Sequence, residues 1–305
     1  MSGIYEIAII GRLDLEFHSL NNEGTVGNVT EPRTLTLPSG EKTDGISGEM
    51  LKHIHAYYLR QMADENELCE ACKRFEPSRA DADRPSTNEP QEAIAECIKR
   101  CVLCDIHGFL LQRPACSRES TVEFGWAVGI PKIVKEMHTH IRRTTETEMP
   151  EIEEKLEKGN WGVNKCSYKG CTTKPEESPL YKVEGKWYCE KHLPERARQM
   201  IYHRPTRSGE YGIISVFQPW RIGLNDVTMS YEENVNRKDR YEKTLKAYEA
   251  LFTRPEGAMT TTRLPHIKEF KGIIVYTESR FPVPIISPLK ENYIDEIKEI
   301  AKKFE

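Results

Sequence analysis

The sequence predicts a mixed α+β protein, in which one β-sheet carries helices and is interrupted by two polar insertions. Residues 4–17 alternate apolar and polar side chains, which is typical of a strand with one buried face. Residues 47–62 instead repeat their apolar side chains at helical spacing. A second set of strand, helix and strand follows in the other half of the chain. These three observations favour the α+β class.

The first half of the chain begins with the strand at 4–17 and continues through a polar loop rich in Gly and Asn. Ser47 can cap the helix that follows, so we place the helix N-terminus there. Pro90 suits the first turn of a second, shorter helix, which follows the first polar insertion. Two strands are then predicted at 106–112 and 121–128.

After the second insertion, the chain returns to a strand pattern at 211–217. Residues 236–252 then place Tyr, Leu and Phe side chains on one side of a helix. A strand at 273–276 and a helix at 293–304 follow. Without the insertions the order fits an RRM-like (ferredoxin-like) sheet with its helices on one face. The other face of such a sheet stays open, and RNA-binding modules commonly use it.

Composition and charge narrow the function classes. The 305 residues are 38% hydrophobic and 30% charged, which is the composition of a soluble globular protein. The formal net charge of −4 argues against a generally basic nucleic-acid coat, so contacts with nucleic acid have to come from local basic patches. No apolar run approaches the roughly 20 residues that cross a bilayer. We therefore expect a cytoplasmic protein with no membrane partner.

Two groups of residues have metal-ligand spacing. The first group is Cys166, Cys171, Cys189 and His192, and the second is Cys69, Cys72, Cys101 and Cys104. Such pairs supply the four ligands of a closed tetrahedral zinc site, and a reducing cytoplasm disfavours disulfides. Cys97 and His107 remain alternatives for one ligand of the second group. We predict one or two structural Zn²⁺ sites, each stabilising an insertion too short for a core of its own.

Two stretches of the chain have features that suit phosphate binding. The first has a flexible backbone that can turn its amides towards an anion, and the second has cationic side chains. The Gly and Asn residues at 21–28 permit turns whose amides converge on an anion, and the helix after them adds its N-terminal N–H groups. The stretch 196–207 mixes Arg and His with Met, Ile and Tyr. Plain connections and a solvated basic edge are the alternative interpretations. Further candidate donors to phosphate are Lys52, His53, Arg113, Arg118 and Arg263.

Six segments in sequence order resemble the DevR-type backbone subunit of type I CRISPR Cascade complexes, in its archaeal type I-A form, within the RAMP superfamily. They are FHSLNNEGTVGNVTEPRT (17–34), DGISGEMLKHIH (44–55), CVLCDIHGFL (101–110), SRESTVEFGWAVG (117–129), RSGEYGIISVFQPWRIGLND (207–226) and RPEGAMTTTRLPH (254–266). They cover most of the predicted sheet and leave the insertions largely uncovered. The resemblance implies an RRM-like palm with finger and thumb insertions.

On this resemblance the palm comprises 1–63, 106–130 and 206–305, the cysteine-bearing fingers 64–105, and the thumb-side insertion with its zinc ribbon 131–205. The implied palm contacts to RNA phosphates are Asn21, Asn22, Gly24, Ser47, Gly48, Lys52 and His53. Those implied at the base or side of the thumb are Met200, Arg204, Arg207 and Ser208.

The family resemblance also implies a function. Its members bind guide RNA (crRNA), stack with copies of themselves in a helical filament along the spacer, and with other Cascade subunits present it for pairing with a target DNA strand in antiviral defence. A scaffold for arbitrary guides has to hold the sugar-phosphate backbone and leave base edges free. RNA-cleaving relatives place an acidic catalytic residue after the first strand, whereas 29–33 here reads VTEPR, with no aspartate at that place and Glu31 as the remaining candidate. We therefore expect no enzyme activity.

Two other functions stay open. An endoribonuclease that processes precursor guide RNA would need a general base and a phosphate stabiliser. Its candidates are His18, His53 and His55 with Lys52. A zinc-ribbon DNA-binding regulator would depend on the cysteine pairs and would bind duplex DNA with sequence specificity.

Overall fold

The structure is a computed structural model of the chain, and it describes residues 3–148, 151–194, 196–257 and 259–303, without the side chains of 142–148 and 196–200. The chain divides into two compact units. Unit 1 contains Met1–His138 and Pro205–Glu305, and unit 2 contains Thr139–Arg204. The architecture is mixed α+β, as the sequence predicts.

The elements are numbered in chain order. Within the described ranges the strands are β1 (Glu6–His18), β2 (Asn22–Val26), β3 (Val29–Pro32), β4 (Thr34–Thr36), β5 (Lys42–Ile46), β6 (Phe109–Gln112), β7 (Ala115–Arg118), β8 (Val122–Phe124), β9 (Ala127–Gly129), β10 (Val134–Glu148), β11 (Glu154–Leu156), β12 (Leu180–Val183), β13 (Lys186–Cys189), β14 (Arg196–Phe217), β15 (Leu224–Asn225), β16 (Ser230–Tyr231) and β17 (His266–Thr277). The α-helices are α1 (Gly48–Met62), α2 (Glu70–Lys73), α3 (Pro90–Arg100), α4 (Val102–His107), α5 (Arg237–Thr253) and α6 (Tyr293–Ala301). None of these helices is long and apolar enough to cross a membrane.

A ten-stranded sheet forms the main frame, and β1 lies between the terminal strand β17 and β14. Its order is β17-β1-β14-β9-β5-β4; in addition β8, β10 and β3 pair with β14, and β2 pairs with β3. β1 is antiparallel to both of its neighbours, and Ile10 faces Ile214 of β14 and Ile273 of β17. The alternation of apolar and polar residues that predicts the first strand therefore belongs to an interior strand of the sheet.

Both faces of the sheet are covered. On one face Ile7 and Ile9 belong to a core that includes Leu59 of α1 and Tyr248 of α5, because odd-numbered residues of β1 point that way. On the other face Ala8 and Ile10 pack with Val216, Val283, Tyr293 and Ile297. The expectation of an open face is therefore wrong along this part of β1: α6 and the chain before it occupy it.

The segment 64–107, expected as an insertion with too little core of its own, shares the core of unit 1. Buried side chains of α3 and α4, among them Ile94 and Leu103, belong to one hydrophobic cluster with Ile7 and Phe217 of the sheet. The helix predicted to begin at Pro90 ends at Arg100, and Cys101 then ends α3 and caps α4. This segment is thus anchored in unit 1 by apolar burial.

Unit 2 has a small sheet with its own apolar cluster. β12 pairs with β11 on one side and β13 on the other, and Leu180 lies opposite Cys189. Trp161, Leu180 and Cys189 are buried together. The indole Nε1 of Trp161 donates to the Ser178 carbonyl at 2.8 Å, which satisfies the buried N–H group.

Candidate nucleic-acid interface and metal centres

The loop between β1 and α1 begins with an exposed hairpin. β2 carries Asn22 and Gly24, and it pairs with β3 only, among the strands that the structure describes. Gly27 adopts a φ of +60° at the turn, a conformation that favours glycine. The residues at 23–28 are exposed. The outer edge of β2 therefore presents backbone N–H groups that no neighbouring strand uses.

Asn21 joins this hairpin to the N-terminus of α1. Its side-chain oxygen accepts a hydrogen bond from the Ser47 amide at 2.8 Å, and the Ser47 hydroxyl accepts one from the Met50 amide at 3.2 Å. A Cβ on Gly48 would collide with the Phe124 carbonyl, so glycine is required here by the packing of α1. Ser47 and Gly48 are buried, which gives them a structural role in this conformation.

Arg207 is fully buried and connects three segments of the chain. Its Nη1 donates to the Asn21 carbonyl at 2.8 Å and to Asp44 Oδ1 at 3.2 Å. Lys135 Nζ lies 3.8 Å from the same carboxylate oxygen. The next residue of β14, Ser208, accepts a hydrogen bond through its hydroxyl from the Phe17 amide at 3.0 Å. The hairpin, β5 and β14 are thus joined at one point.

Asp44 has a second buried partner that the sequence does not reveal. The Tyr211 hydroxyl donates to Asp44 Oδ2 at 2.9 Å, and His18 Nε2 lies 2.8 Å from that hydroxyl. Because the Leu20 amide donates to His18 Nδ1, the imidazole proton belongs on Nε2, from where it is donated to Tyr211. Burial, and then the charge of Arg207, lower the pKa of His18 well below its usual value, so this histidine is neutral.

Lys52 and His53 lie one turn into α1, on the accessible side of the helix. Lys52 is half-buried and His53 is exposed. Burial, followed by the positive charge of Arg79, lowers the pKa of both side chains. The surroundings thus disfavour the charged form of both side chains, and a neighbouring anion would stabilise that form. These two residues therefore remain candidates for a phosphate contact.

The other predicted cations differ in their accessibility. Arg113 is exposed at the turn between β6 and β7. Arg118 is buried with Asp105, to whose Oδ1 it donates at 2.6 Å, and it also donates to main-chain carbonyls. Arg263 is also buried. Folding thus places the guanidinium groups of Arg118 and Arg263 inside unit 1, and their predicted contacts with phosphate stay predictions.

The residues predicted at the base of the thumb fall in two places. Arg204 lies in unit 2, with its guanidinium 4.8 Å from the centre of the Tyr202 ring. Arg207 and Ser208 belong to unit 1. The side chain of Met200 lies outside the described part of the structure, so its predicted contact with RNA stays a prediction.

The first cysteine group converges on one buried point. Cys69, Cys72, Cys101 and Cys104 place their sulfur atoms within 4.8 Å of one another. Cys104 Sγ lies 3.9 Å from the sulfur of Cys69 and 3.9 Å from that of Cys72. A tetrahedral ion with metal–sulfur bonds of about 2.3 Å has sulfur–sulfur edges of about 3.8 Å. These four thiols therefore fit a closed, four-coordinate metal site.

Two alternative ligands are placed elsewhere. The pKa of Cys97 is raised to about 12 by burial, as for an isolated apolar thiol. His107 Nε2 instead lies 2.9 Å from Nδ1 of His55. Neither residue belongs to the four-residue cluster, so the alternatives that the spacing left open are resolved in favour of four cysteines.

The second group assembles in unit 2. Cys166, Cys171, Cys189 and His192 bring their ligand atoms within 4.8 Å of one another. The sulfurs of Cys171 and Cys189 are 3.7 Å apart, and His192 Nδ1 lies 3.2 Å from Cys189 Sγ. The Tyr168 ring stacks on His192 with centroids 4.1 Å apart. The group could hold one metal ion at the end of the β12–β13 hairpin.

The histidines proposed for an endoribonuclease do not share a site. His18 is fully buried against Tyr211. His55 is buried as well; burial lowers its pKa to about 3, although its Nε2 contacts the Thr244 carbonyl at 3.1 Å. Only His53 of the three is exposed. A buried neutral imidazole has no access to a phosphodiester in this conformation.

The chain matches known proteins over most of its length. The family model described as "CRISPR-associated negative auto-regulator DevR/Csa2" matches residues 9–160 and 187–298. A protein of Methanocaldococcus jannaschii named CRISPR-associated protein Cas7/Cst2/DevR is 22% identical over 97% of this chain and 88% of its own length. A protein of the same name from Thermoproteus tenax is 30% identical over 39% of this chain and 37% of its own.

Solved structures with a similar chain course also come from CRISPR proteins. A chain of an RNA-guided surveillance complex in a pre-nicking state matches 86% of this chain and 77% of its own length, with a TM-score of 0.45 and 11% identity. Csc2 of Thermofilum pendens matches 98% of this chain and 76% of its own, with a TM-score of 0.37 and 12% identity. Because the family model spans both halves of the chain, this protein belongs to the DevR/Csa2 family of CRISPR-associated proteins.

Proposed function

We propose that the chain is a crRNA-binding backbone subunit of a type I Cascade complex. Its role is to hold the guide by the sugar-phosphate backbone while base edges stay free for a target DNA strand. The observation that carries this proposal is the position of Arg207, which joins Asn21, the residues before α1 and β14. Three segments that the sequence selects for RNA binding are thereby joined through one buried side chain.

The site around Arg207 offers main-chain amides and cations, which are groups suited to phosphate. The outer edge of β2 offers main-chain amides, and Lys52 offers a cation near the N-terminus of α1. Arg207 adds Nε and Nη2, which are buried without a hydrogen-bond partner within the described ranges. Unpaired buried donors are rare and costly, so an anion that reached them would be stabilised.

We infer an RRM-like palm from β1, α1, β8–β9, β14, α5 and β17, since β1 lies between β14 and β17 as in a ferredoxin-like sheet. Ala8 and Ile10 on the second face are covered by α6. We propose that the guide contacts the loops around Arg207 and does not lie on this covered part of the sheet.

We propose that both cysteine groups bind structural Zn²⁺. The sulfur spacing fits tetrahedral coordination, and each group supplies four ligands, which leaves no position for a reacting water. Zinc would join Cys72 of α2, and Cys69 just before that helix, to Cys101 and Cys104 at the start of α4. In unit 2 it would hold residues 166–171 against β13. The metal supplies folding energy at both sites and no chemistry.

The remaining parts of the proposal concern assembly and the absence of catalysis. Copies of the chain would stack head to tail along one guide, together with other Cascade subunits. The burial of His18 and His55 supports a non-catalytic role. Incubation with labelled repeat RNA checks this: no cleavage is expected, and specific cleavage that disappears in His53→Ala would contradict it.

Size-exclusion chromatography with light scattering tests the assembly directly. We expect particles whose mass rises in steps as the RNA is lengthened, independent of its sequence. The variant Asn21→Ala/Asn22→Ala should need more RNA to reach the same mass, whereas Lys246→Gln on the exposed side of α5 serves as the control. A particle mass that does not depend on RNA length would overturn the proposal.

A further inference from the structure

Unit 2 contains a short loop whose charge differs from that of the whole chain. The lysine loop, residues 158–175, contains four lysines and no acidic residue, whereas the chain has a net charge of −4. Its lysines are Lys158, Lys165, Lys169 and Lys174. All four are exposed, and none takes part in an ion pair with another described residue. By contrast, Lys155 and Lys182 of the same unit are paired with Glu157 and Glu154.

An aromatic residue lies between these lysines in the sequence. Tyr168 is 55% exposed although one face of its ring is stacked on His192, with 6° between the ring planes. His192 is the one ring that contacts it among the residues described. The second face of Tyr168 is consequently available to a planar partner. The loop is short between Cys166 and Cys171, so a metal ion bound there would fix the ring in place.

The metal centre does not cancel the positive charge of the loop. Three thiolates and one divalent ion together contribute a charge of about −1, against four lysines. Exposed lysines together with an exposed aromatic ring suit the binding of single-stranded nucleic acid. Its phosphates can pair with lysine, and its unpaired bases can stack on an aromatic face. A duplex lacks free base faces and would gain only the phosphate contacts.

We infer that the lysine loop is a second binding surface for single-stranded nucleic acid, with Tyr168 stacking on a base and Lys165 and Lys169 contacting flanking phosphates. The surface lies in unit 2, whereas Arg207 and the hairpin of the proposed guide site lie in unit 1. The inference does not depend on the guide-binding proposal. The guide and a target strand share this chemistry, and the two are separated by testing RNA against DNA.

Fluorescence anisotropy with labelled 15-nucleotide oligo-dT and oligo-rU on the full zinc-loaded chain is the test. Removing two lysine contacts, as Lys165→Gln/Lys169→Gln, should reduce the slope of log affinity against log salt by about 1.4, at roughly 0.7 per phosphate contact. Tyr168→Ala should weaken binding roughly 5- to 150-fold, the range for loss of one stacked base, while Tyr168→Phe retains the affinity. A larger effect with rU identifies the guide as the ligand, and a larger effect with dT identifies a DNA strand.

The control variant is Lys238→Gln/Lys246→Gln, which removes the same charge from the exposed side of α5 in unit 1. Zinc content is measured for every variant. If Tyr168→Ala loses metal, the test is carried by the lysine variants, which do not change any of the four metal ligands. Equal salt slopes for the loop and control variants would overturn the inference. Equal affinity for a 15-base-pair duplex would do so too, because stacking on Tyr168 would then contribute nothing. Guide-dependent assembly could still hold in either case.

Discussion

Arg207 Nη1 lies 3.2 Å from Asp44 Oδ1, and both side chains are completely buried. The pair is separated by 163 residues along the chain. Burial raises the pKa of Asp44, even though Arg207 and then Tyr211 act in the opposite direction. Removal of one partner would therefore leave a charge that neither water nor a second side chain neutralises fully.

We predict that Arg207→Met lowers the free energy of unfolding by about 3–5 kcal/mol, the usual cost of an orphaned buried charge. Asp44→Asn should restore part of that loss in the double variant, because it removes the unpaired carboxylate. Urea unfolding of the four proteins measures the coupling. Arg113→Met at an exposed turn is the control, and strictly additive losses would contradict a direct pair.

Lys52→Gln should weaken single-stranded RNA binding uniformly across sequences. The expected decrease in the slope of log affinity against log salt is about 0.7, which corresponds to one phosphate contact. The change should leave the unfolding free energy nearly unaltered, since Lys52 has no ion-pair partner among the described residues within 4 Å. Lys246→Gln on α5 is the matched control. An unchanged slope in Lys52→Gln would remove this residue from the interface.

Cys69→Ser should reduce the zinc content from two equivalents to one and destabilise unit 1. The physical reason is that the four sulfurs close a single site, so that three ligands and a hydroxyl bind zinc poorly. Metal analysis with thermal unfolding measures both effects. Cys97→Ala removes a buried thiol outside the cluster and should keep both equivalents. Retention of two equivalents by Cys69→Ser would contradict the site.

Cys171→Ser should also remove one equivalent of zinc, and its effect on stability should be confined to unit 2. Unit 2 has a small apolar cluster around Trp161, so we expect limited proteolysis to cleave within 151–194 while the unfolding of unit 1 is unchanged. Thr172→Ser beside it is the control. Simultaneous loss of both units would show that the two centres are not independent.

Acid should destabilise the protein through His55. Its pKa is about 3 in the folded chain, against 6.5 in a solvated histidine, because burial disfavours the charged ring. The stability it contributes is complete above pH 6.5 and is lost as the pH falls towards 3, by up to about 1.4 kcal/mol per pH unit. Urea unfolding between pH 7 and 5 should show a shallower pH dependence in His55→Gln than in the wild type. His53→Gln, on the surface, should keep most of the wild-type slope.

Local sequence patterns predicted the longer strands and helices and both groups of candidate metal ligands, because their signals lie within a few residues. Cys69-x2-Cys72 and Cys189-x2-His192 each fix half of a site by spacing alone. The partner of Asp44 could not be found in this way, since Tyr211 lies 167 residues away. Arg118 likewise has nothing in its sequence neighbourhood that distinguishes it from the exposed Arg113. Which cations are buried depends on long-range packing.

The position of α6 escaped prediction for a related reason. Its apolar stripe, with Tyr293 and Ile297, predicted a packed helix, but a stripe does not specify which surface it will cover. The structure places it on the face of Ala8 and Ile10, which the strand order alone would leave open.

This placement has a practical consequence for handling the protein. Helix α6 covers an apolar surface of β1 and β14. A fusion or truncation that displaces this helix would therefore expose Ala8, Ile10 and Val216 together. Preparations altered at that end should aggregate at a lower protein concentration than the intact chain, because the uncovered apolar surface can associate between molecules.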